Sequence, residues 1–452
     1  MQDLLIIGGS DAGISAALRA RELSPETNVT IVLRDSYPNF SICGIPFYLS
    51  GEVADWKNLA HRTREEIEKS GIKLMSNTVA ESIDPLAKEV NVRPAQGDPV
   101  TIGYDRLFLG IGAVSRQPNI EGLKTPGVFV LRWMDEARAL HEFLEKNQPK
   151  SAVLIGGGYI NMEMADALTL RGIRVTVIEH NPSILKTLDV ELGEILKTYM
   201  EAKGVQVLCG FRAQRIQPQQ EGGILVHVDN GNSLGADFAI VAVGAFPNTG
   251  IATAAGARCG PSGALKVNRR METTLADVYA GGDCVETHHT ILGKDVYLPL
   301  GSTSHKQGRV AGENVVGGNA EFVGSLGTQV VKVFETVAAR AGFNDSDAVQ
   351  YGYDPLSVDM KTWDHKVYYP EAKRLHIRLT GDRSNGKLLG AQFLGHVSTE
   401  AAKRVDTIAV ALHAQMSIAN LNDIDLSYTP PLGSPWDPIH QAAQNWLKAG
   451  RI

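Results

Sequence analysis

The stretch LLIIGGSDAGISAALRARELSPETNVTIVL, residues 4–33, decides the fold. An apolar run from Leu4 to Ile7 meets a glycine-rich turn, then a helix-period segment of small residues, then a second apolar run from Val29 to Leu33. An apolar run flanked by glycine reads as a buried parallel strand, so this is the start of a βαβ unit. The same grammar returns at residues 152–179, AVLIGGGYINMEMADALTLRGIRVTVIE, with strands Ala152 to Ile155 and Arg174 to Glu179. A third signal, TTLADVYAGGDC at 273–284, brings a short strand (Asp277 to Ala280) onto two glycines and Asp283.

These repeats predict an α/β protein with two Rossmann-like dinucleotide-binding domains. The first is split, at residues 1–115 and 245–325, and the second is inserted between them at 116–244. From about residue 326 to 452 the pattern changes to an α+β domain suited to dimerisation, with antiparallel strands at Thr328 to Phe334, Leu375 to Leu379 and Lys387 to Leu394. A helix is expected near Ala401 to Gln415, and the proline-rich SYTPPLGSPWDP, residues 427–438, reads as a surface or interface loop. A chain of 452 residues exceeds what one core holds, which agrees with this division.

Composition narrows the function. With 43% hydrophobic and 21% charged residues and a formal charge of -6, the chain has no basic stripe for nucleic acid or an anionic membrane surface. It opens Met1-Gln2-Asp3 with no basic, apolar and cleavable leader, and no apolar run nears the ~20 residues that span a bilayer, so a cytoplasmic location is expected. Cys43, Cys209, Cys259 and Cys284 form no CxxC pair, so neither a disulfide framework nor a metal site is expected.

Glycines at a strand-to-helix turn let the backbone approach a pyrophosphate at a helix N-terminus. Gly156 and Gly158 fill the first two positions of GxGxxG, and Asn161 replaces the third, which predicts a slightly wider helix-to-strand spacing. Glu179 stands about 20 residues on, where an acid accepts from ribose hydroxyls and repels a 2′-phosphate, so NADH is favoured with NADPH as the alternative. In the first turn Gly8 and Gly13 fit, Ser10 replaces the middle glycine, and Leu33 takes the acid's place; Asp35, beside Arg34, is the substitute.

Together GGSDAG, LFLGIGAVSRQP, GGGYINME, IVAVGAFPN and TTLADVYAGGD resemble the serial fingerprints of the flavoprotein pyridine nucleotide-disulfide oxidoreductases. The resemblance implies FAD at Gly8, Ser10, Gly13, Arg34, Asp35, Ala113 and Asp283. It implies the nicotinamide nucleotide at Gly156, Gly158, Ile160, Glu163, Glu179 and Gly244.

In NFSICGIPFYLSG, residues 39–51, Cys43 stands just before a helix starting at Ile45, whose N-terminus is expected to favour thiolate. The position that would hold a second redox cysteine is Tyr48, and His440 is followed by Gln441 where the glutathione reductase branch carries its base motif. Cys43 therefore cycles alone, as a persulfide, mixed disulfide or sulfenic acid. FSICGIP is similar to the single-cysteine branch, which contains coenzyme A-disulfide reductases, NADH-dependent persulfide reductases, NADH oxidases and NADH peroxidases. That resemblance implies a homodimer in which Tyr368, Tyr369 and Tyr428 come from the partner to cover the cysteine, acting as catalytic tyrosines. Two departures stand out: Asp11 sits where the peroxidases and oxidases carry a histidine, and Ile42 where the coenzyme A-disulfide reductases carry asparagine.

The reading that follows is an NADH-dependent FAD enzyme reducing a low-molecular-weight disulfide or persulfide, with coenzyme A the candidate thiol. Of the cations near the first turn and Cys43 (Arg19, Lys57, His61, Arg62, Arg64), Arg19 and Arg62 are the substrate-binding candidates. An oxidase or peroxidase working through a Cys43 sulfenate, and a flavin electron carrier for a protein partner, are the alternatives.

Overall fold

The computed structural model describes residues 2–220 and 222–450. Its first sheet is five parallel strands in the order Val278–Ala280, Arg106–Leu109, Asp3–Ile7, Asn28–Val32, Ile72–Met75. The GGD segment thus returns to the sheet begun by the first residues. The second sheet, also parallel, runs Gln206–Cys209, Arg174–Glu179, Ser151–Ile155, Phe238–Val241, Val128–Val130. Both place their glycine turn at the carboxyl end of a central strand, where open α/β sheets bind ligands. A short antiparallel ribbon, Ala113–Ser115 against Ala245–Pro247, joins the two units.

The third unit is an antiparallel sheet ordered Gln329–Val333, Thr336–Gly342, Leu388–His396, Arg374–Asp382, Pro355–Trp363. The helices Ala401–His413 and Pro438–Ala449 bury Val405, Ile408, Ile439 and Trp446 in its core. The loop expected through 438 ends one residue early: Asp437 caps the last helix and Pro438 starts it, at a position that needs no amide hydrogen. Among the described residues no helix is long and apolar enough to cross a membrane.

Two helices fix the first turn. Asp11–Leu23 packs on Gly301–Asn314 at very short range, because a Cβ at Gly308 would lie 2.2 Å from the Ala12 carbonyl oxygen, and one at Gly312 2.4 Å from that of Ala16. Within the turn, a Cβ at Gly13 would lie 1.9 Å from the Gly8 oxygen. Backbone cannot yield there as a flexible side chain can. Gly13→Ala is expected to cost about 3 kcal/mol in a denaturant titration, whereas Gly51→Ser, in open space at a helix end, should cost far less despite its left-handed φ of 90°. Equal losses would refute this account of the turn.

Candidate active site

Cys43 lies in the one-turn segment Ile42–Gly44, immediately before the helix Ile45–Ser50. Ile45, Tyr48 and Leu49 are buried in one core with Met162 and Met164 of the second-turn helix Tyr159–Leu170 and with Val331 and Val333 of the third unit. Arg171 adds a hydrogen bond to the Leu49 carbonyl, 3.0 Å. The chain before the cysteine is held as firmly: the Asn39 amide donates to the Gly9 carbonyl (2.8 Å) and that of Ser41 to Leu59 (2.9 Å). Tyr48, at the place of a second redox cysteine, stacks on His141 with ring centroids 4.6 Å apart.

The Cys43 side chain is exposed on one side, with protein dense around the rest. That packing holds the thiol above its ordinary pKa, and the carboxylates of Glu163, Asp11 and Asp283 add to the effect. The expected thiolate-favouring helix is therefore corrected. The helix has only six residues and is capped by Gly44, while burial first, and then the three acids, raise the thiol. The same acids locate the sulfur, since one belongs to the second turn's helix and two to the first unit. Cys284, by contrast, is fully buried, bonded to the Leu109 and Gly281 carbonyls, and pushed up to about 12 by burial.

At the first turn Gly8 adopts a φ of 107°, and Ser10 caps Asp11–Leu23 without a side-chain hydrogen bond. The first-turn amides are thus available to a phosphate, which is the fit FAD requires. Leu33 is buried. Asp35 has its pKa raised by burial, with Asp135 and Glu136 adding and Arg34 opposing; the Arg34 guanidinium lies 5.1 Å over Trp133. Asp283 is paired with Arg132 at 2.8 Å, and Arg132 also donates to the Ala113 carbonyl at 2.9 Å. Arg132 thereby joins Ala113 to Asp283, two of the residues read from the sequence, and no motif announced it.

At the second turn Gly156 has a φ of 108°, and a Cβ on the exposed Gly158 would meet nothing within 4 Å, leaving room for a pyrophosphate at the helix start. Asn161 is fully buried and donates to the Ile155 and Gly156 carbonyls at 2.9 and 2.8 Å. Those two bonds stitch the helix start to the end of the strand. Glu179 is buried, accepts from the Gly157 amide and from Asn181 (2.7 Å to its amide), and pairs with His180 at 2.9 Å. Ile160 packs against the core that carries the Cys43 helix, and Gly244, exposed with a φ of 103°, accepts from the Arg116 amide at 2.9 Å. Glu163 is pushed up to about 7 by burial, with Lys332 opposing and Asp166 adding.

The tail residues lie elsewhere. Tyr368, Tyr369 and Tyr428 are 72%, 44% and 44% exposed, alongside exposed Val367, Leu432 and Trp436. The two loops that carry them are joined by Lys366 to Pro430 (3.4 Å) and by Arg404, which bridges Asp437 and the Asp364 carbonyl at 3.0 Å each. Among the described residues no hydrogen bond links them to the Cys43 segment of the same chain. His440 is buried and bonded to the Ile424 carbonyl, 2.9 Å, a core histidine. Arg19 is ion-paired to Glu313 (2.5 Å) and Glu22 (3.0 Å), so a phosphate there would compete with two carboxylates. Arg62 is exposed and makes no ion pair among the described residues.

Glu163 yields a test. Its carboxyl is raised in the folded chain above the unfolded value of about 4.3, so the folded state binds the proton more tightly. Stability is then lost as pH rises from about 4.5 through 7. Glu163→Gln should exceed the parent by about 1–3 kcal/mol at pH 8.5, with the gap closing toward pH 5. A gap that does not change with pH in thermal melts would contradict this.

Two family descriptions match the chain: pyridine nucleotide-disulphide oxidoreductase over residues 2–308, and its dimerisation domain over 328–437. The CoA-dependent NAD(P)H sulfur oxidoreductase of Pyrococcus furiosus is 35% identical over 440 residues, 96% of this chain and 97% of that protein. The NADH oxidase of Methanocaldococcus jannaschii is 29% identical over 446 residues, 98% of each chain. The solved structure of an NAD-dependent persulfide reductase from A. fulgidus superposes with a TM-score of 0.95 at 35% identity, covering 99% of this chain and 83% of that one. The chain belongs to the pyridine nucleotide-disulphide oxidoreductase family, and is an enzyme that uses FAD and NAD(P)H.

Proposed function

We propose that this enzyme passes electrons from NADH through FAD to the persulfide or disulfide of a small thiol, coenzyme A being the candidate, with Cys43 as the sulfur that exchanges. One observation carries the reading: a single exposed thiol stands where Glu163 of one nucleotide unit and Asp11 and Asp283 of the other all act on it. The names borne by the Pyrococcus and A. fulgidus relatives support the acceptor class.

We assign FAD to residues 1–115 and 245–325 and the nicotinamide nucleotide to 116–244. The Gly8–Gly13 turn and the start of Asp11–Leu23 would hold the FAD pyrophosphate, and Asp283, paired with Arg132, would hold the ribitol chain. Gly156 and Gly158 take the other pyrophosphate. Glu179, a buried acid, disfavours a 2′-phosphate. When bound, the flavin accepts a hydride and returns an electron pair to sulfur.

The protein's part is sulfur exchange. The Cys43 sulfur attacks the outer sulfur of a persulfide, or one sulfur of a disulfide, the S–S bond breaks, and the departing thiolate takes a proton; two electrons and one further proton then split the new Cys43 S–S bond, releasing hydrosulfide or the second thiol and restoring Cys43. Proton transfer to the departing thiolate needs a donor within hydrogen-bond reach, and among the described residues the tail tyrosines have no hydrogen bond to the Cys43 segment of their own chain. We assign this to Tyr428, with Tyr368 and Tyr369 shaping its loop, of a second protomer. The exposed apolar and aromatic side chains at 367–369, 428, 432 and 436 are of the kind a partner covers.

Cys43→Ser should keep its FAD but lose NADH-driven persulfide and disulfide reduction by at least about a thousandfold. Undiminished turnover, or oxygen consuming NADH as fast as any disulfide, would overturn the assignment. In sedimentation the holoenzyme should be a dimer, and Tyr428→Phe should lower kcat about a hundredfold while remaining dimeric. An active monomer would remove the tyrosines from the site.

A further inference from the structure

Three side chains meet beside the first turn, one of them, Asp11, among the carboxylates that act on Cys43. Asp11, His61 and His305 come from three distant parts of the chain, and one ligand atom of each lies within 4.8 Å of the others. The His305 Nε2 to Asp11 Oδ1 distance is 3.4 Å. Two ligands at bond lengths of about 2.0–2.1 Å on a tetrahedral zinc-like ion stand about 3.3 Å apart, so that edge is already at ligating distance. The third corner, His61, closes with a side-chain shift of about an ångström.

Rigid backbone sets each corner. Asp11 opens the helix Asp11–Leu23, and His305 lies in the second turn of Gly301–Asn314, which Gly308 and Gly312 bring against Ala12 and Ala16 at backbone contact. A Cβ at Gly301 would lie only 3.2 Å from Asp11 Oδ2, so glycine there keeps the carboxylate uncrowded. The His61 amide donates to the Asn39 carbonyl at 3.1 Å, tying that residue to the segment that leads to Cys43. The two imidazoles meet edge to face with centroids 6.2 Å apart.

A second, independent feature points to a metal. Ser15 Oγ bonds His305 Nδ1 at 2.9 Å, which leaves Nε2, 3.4 Å from Asp11 Oδ1, as the nitrogen that faces the carboxylate. Metal-bound histidines are held in this way, with the second ring nitrogen engaged by a neighbour that fixes orientation and tautomer. We propose that Asp11, His61 and His305 form a binding site for a divalent zinc-like cation, with Ser15 orienting His305. Two imidazoles and one carboxylate suit zinc, and three protein ligands leave a fourth position for water or a sulfur anion. Cysteine spacing gave no hint of such a site because none of its ligands is a cysteine and no two share a segment.

The test is calorimetric titration of zinc into the FAD-loaded Cys43→Ser protein, in which that thiol cannot bind the metal. One ion per protomer is expected. His305→Ala and His61→Ala should each abolish stoichiometric binding, and Ser15→Ala should weaken it by about tenfold. Thermal melts without zinc would show the variants folded, since both histidines are exposed. Absence of stoichiometric binding in the parent, or binding that survives His305→Ala, would overturn the proposal. Because the readout is binding, its failure leaves the redox assignment untouched, and failure of Cys43 chemistry leaves the metal site standing.

Discussion

Everything that converges on Cys43 does so because a six-residue helix is too short to stand alone. Ile45–Ser50 owes its place to Ile45 and Leu49, which are buried against Met162 and Met164 of the helix that opens the second nucleotide unit. The cysteine belongs to the first unit by sequence, and its helix is packed by the second. Asn39, bonded to Gly9, fixes the other end of the segment to the first turn. A sulfur held between two such anchors sits at the junction of the two glycine turns, and its surroundings are acidic for the same reason, since Glu163 lies one residue beyond Met162 and Asp11 three beyond Gly8.

The parts legible in the sequence are those in which local chemistry and fold coincide. Gly8, Gly13 and Gly156 sit where a Cβ would strike backbone, so they could be recognised singly, and the parallel strands around them are near-continuous apolar runs. What stayed hidden depends on distance. Arg132 carries no glycine pattern and acquires meaning only when the fold brings it to Asp283 and Ala113. Asn161 looked like a defect in a glycine motif, whereas its amide replaces a close approach by two hydrogen bonds. The strand Thr336–Gly342, TVAARAG, is rich in alanine and glycine and has no strand-like alternation, yet it lies between two neighbours in the third sheet.

Electrostatics divides the chain's cysteines more sharply than position does. Cys284 is enclosed and inert by burial, while Cys43 is open on one side and ringed by carboxylates. An acidic neighbourhood favours a neutral thiol at rest and so limits adventitious oxidation, which acts on thiolate. It also disfavours approach of free anions, and the cations able to offset this are few, with Arg19 already committed to Glu313 and Glu22.

The bond between Lys332 and Asp166 has a mechanical consequence. Asp166, buried in the second-turn helix, also accepts the Phe334 amide at 2.9 Å, and Lys332 reaches it at 3.0 Å. The second unit is therefore riveted to the third sheet, while the ribbon Ala113–Ser115 against Ala245–Pro247 carries its chain to the first unit. The first unit is tied to the same sheet by the His289 ring stacked on Phe343 and by the Tyr353 hydroxyl donating to the Ile291 carbonyl, so the third sheet holds both nucleotide units at once.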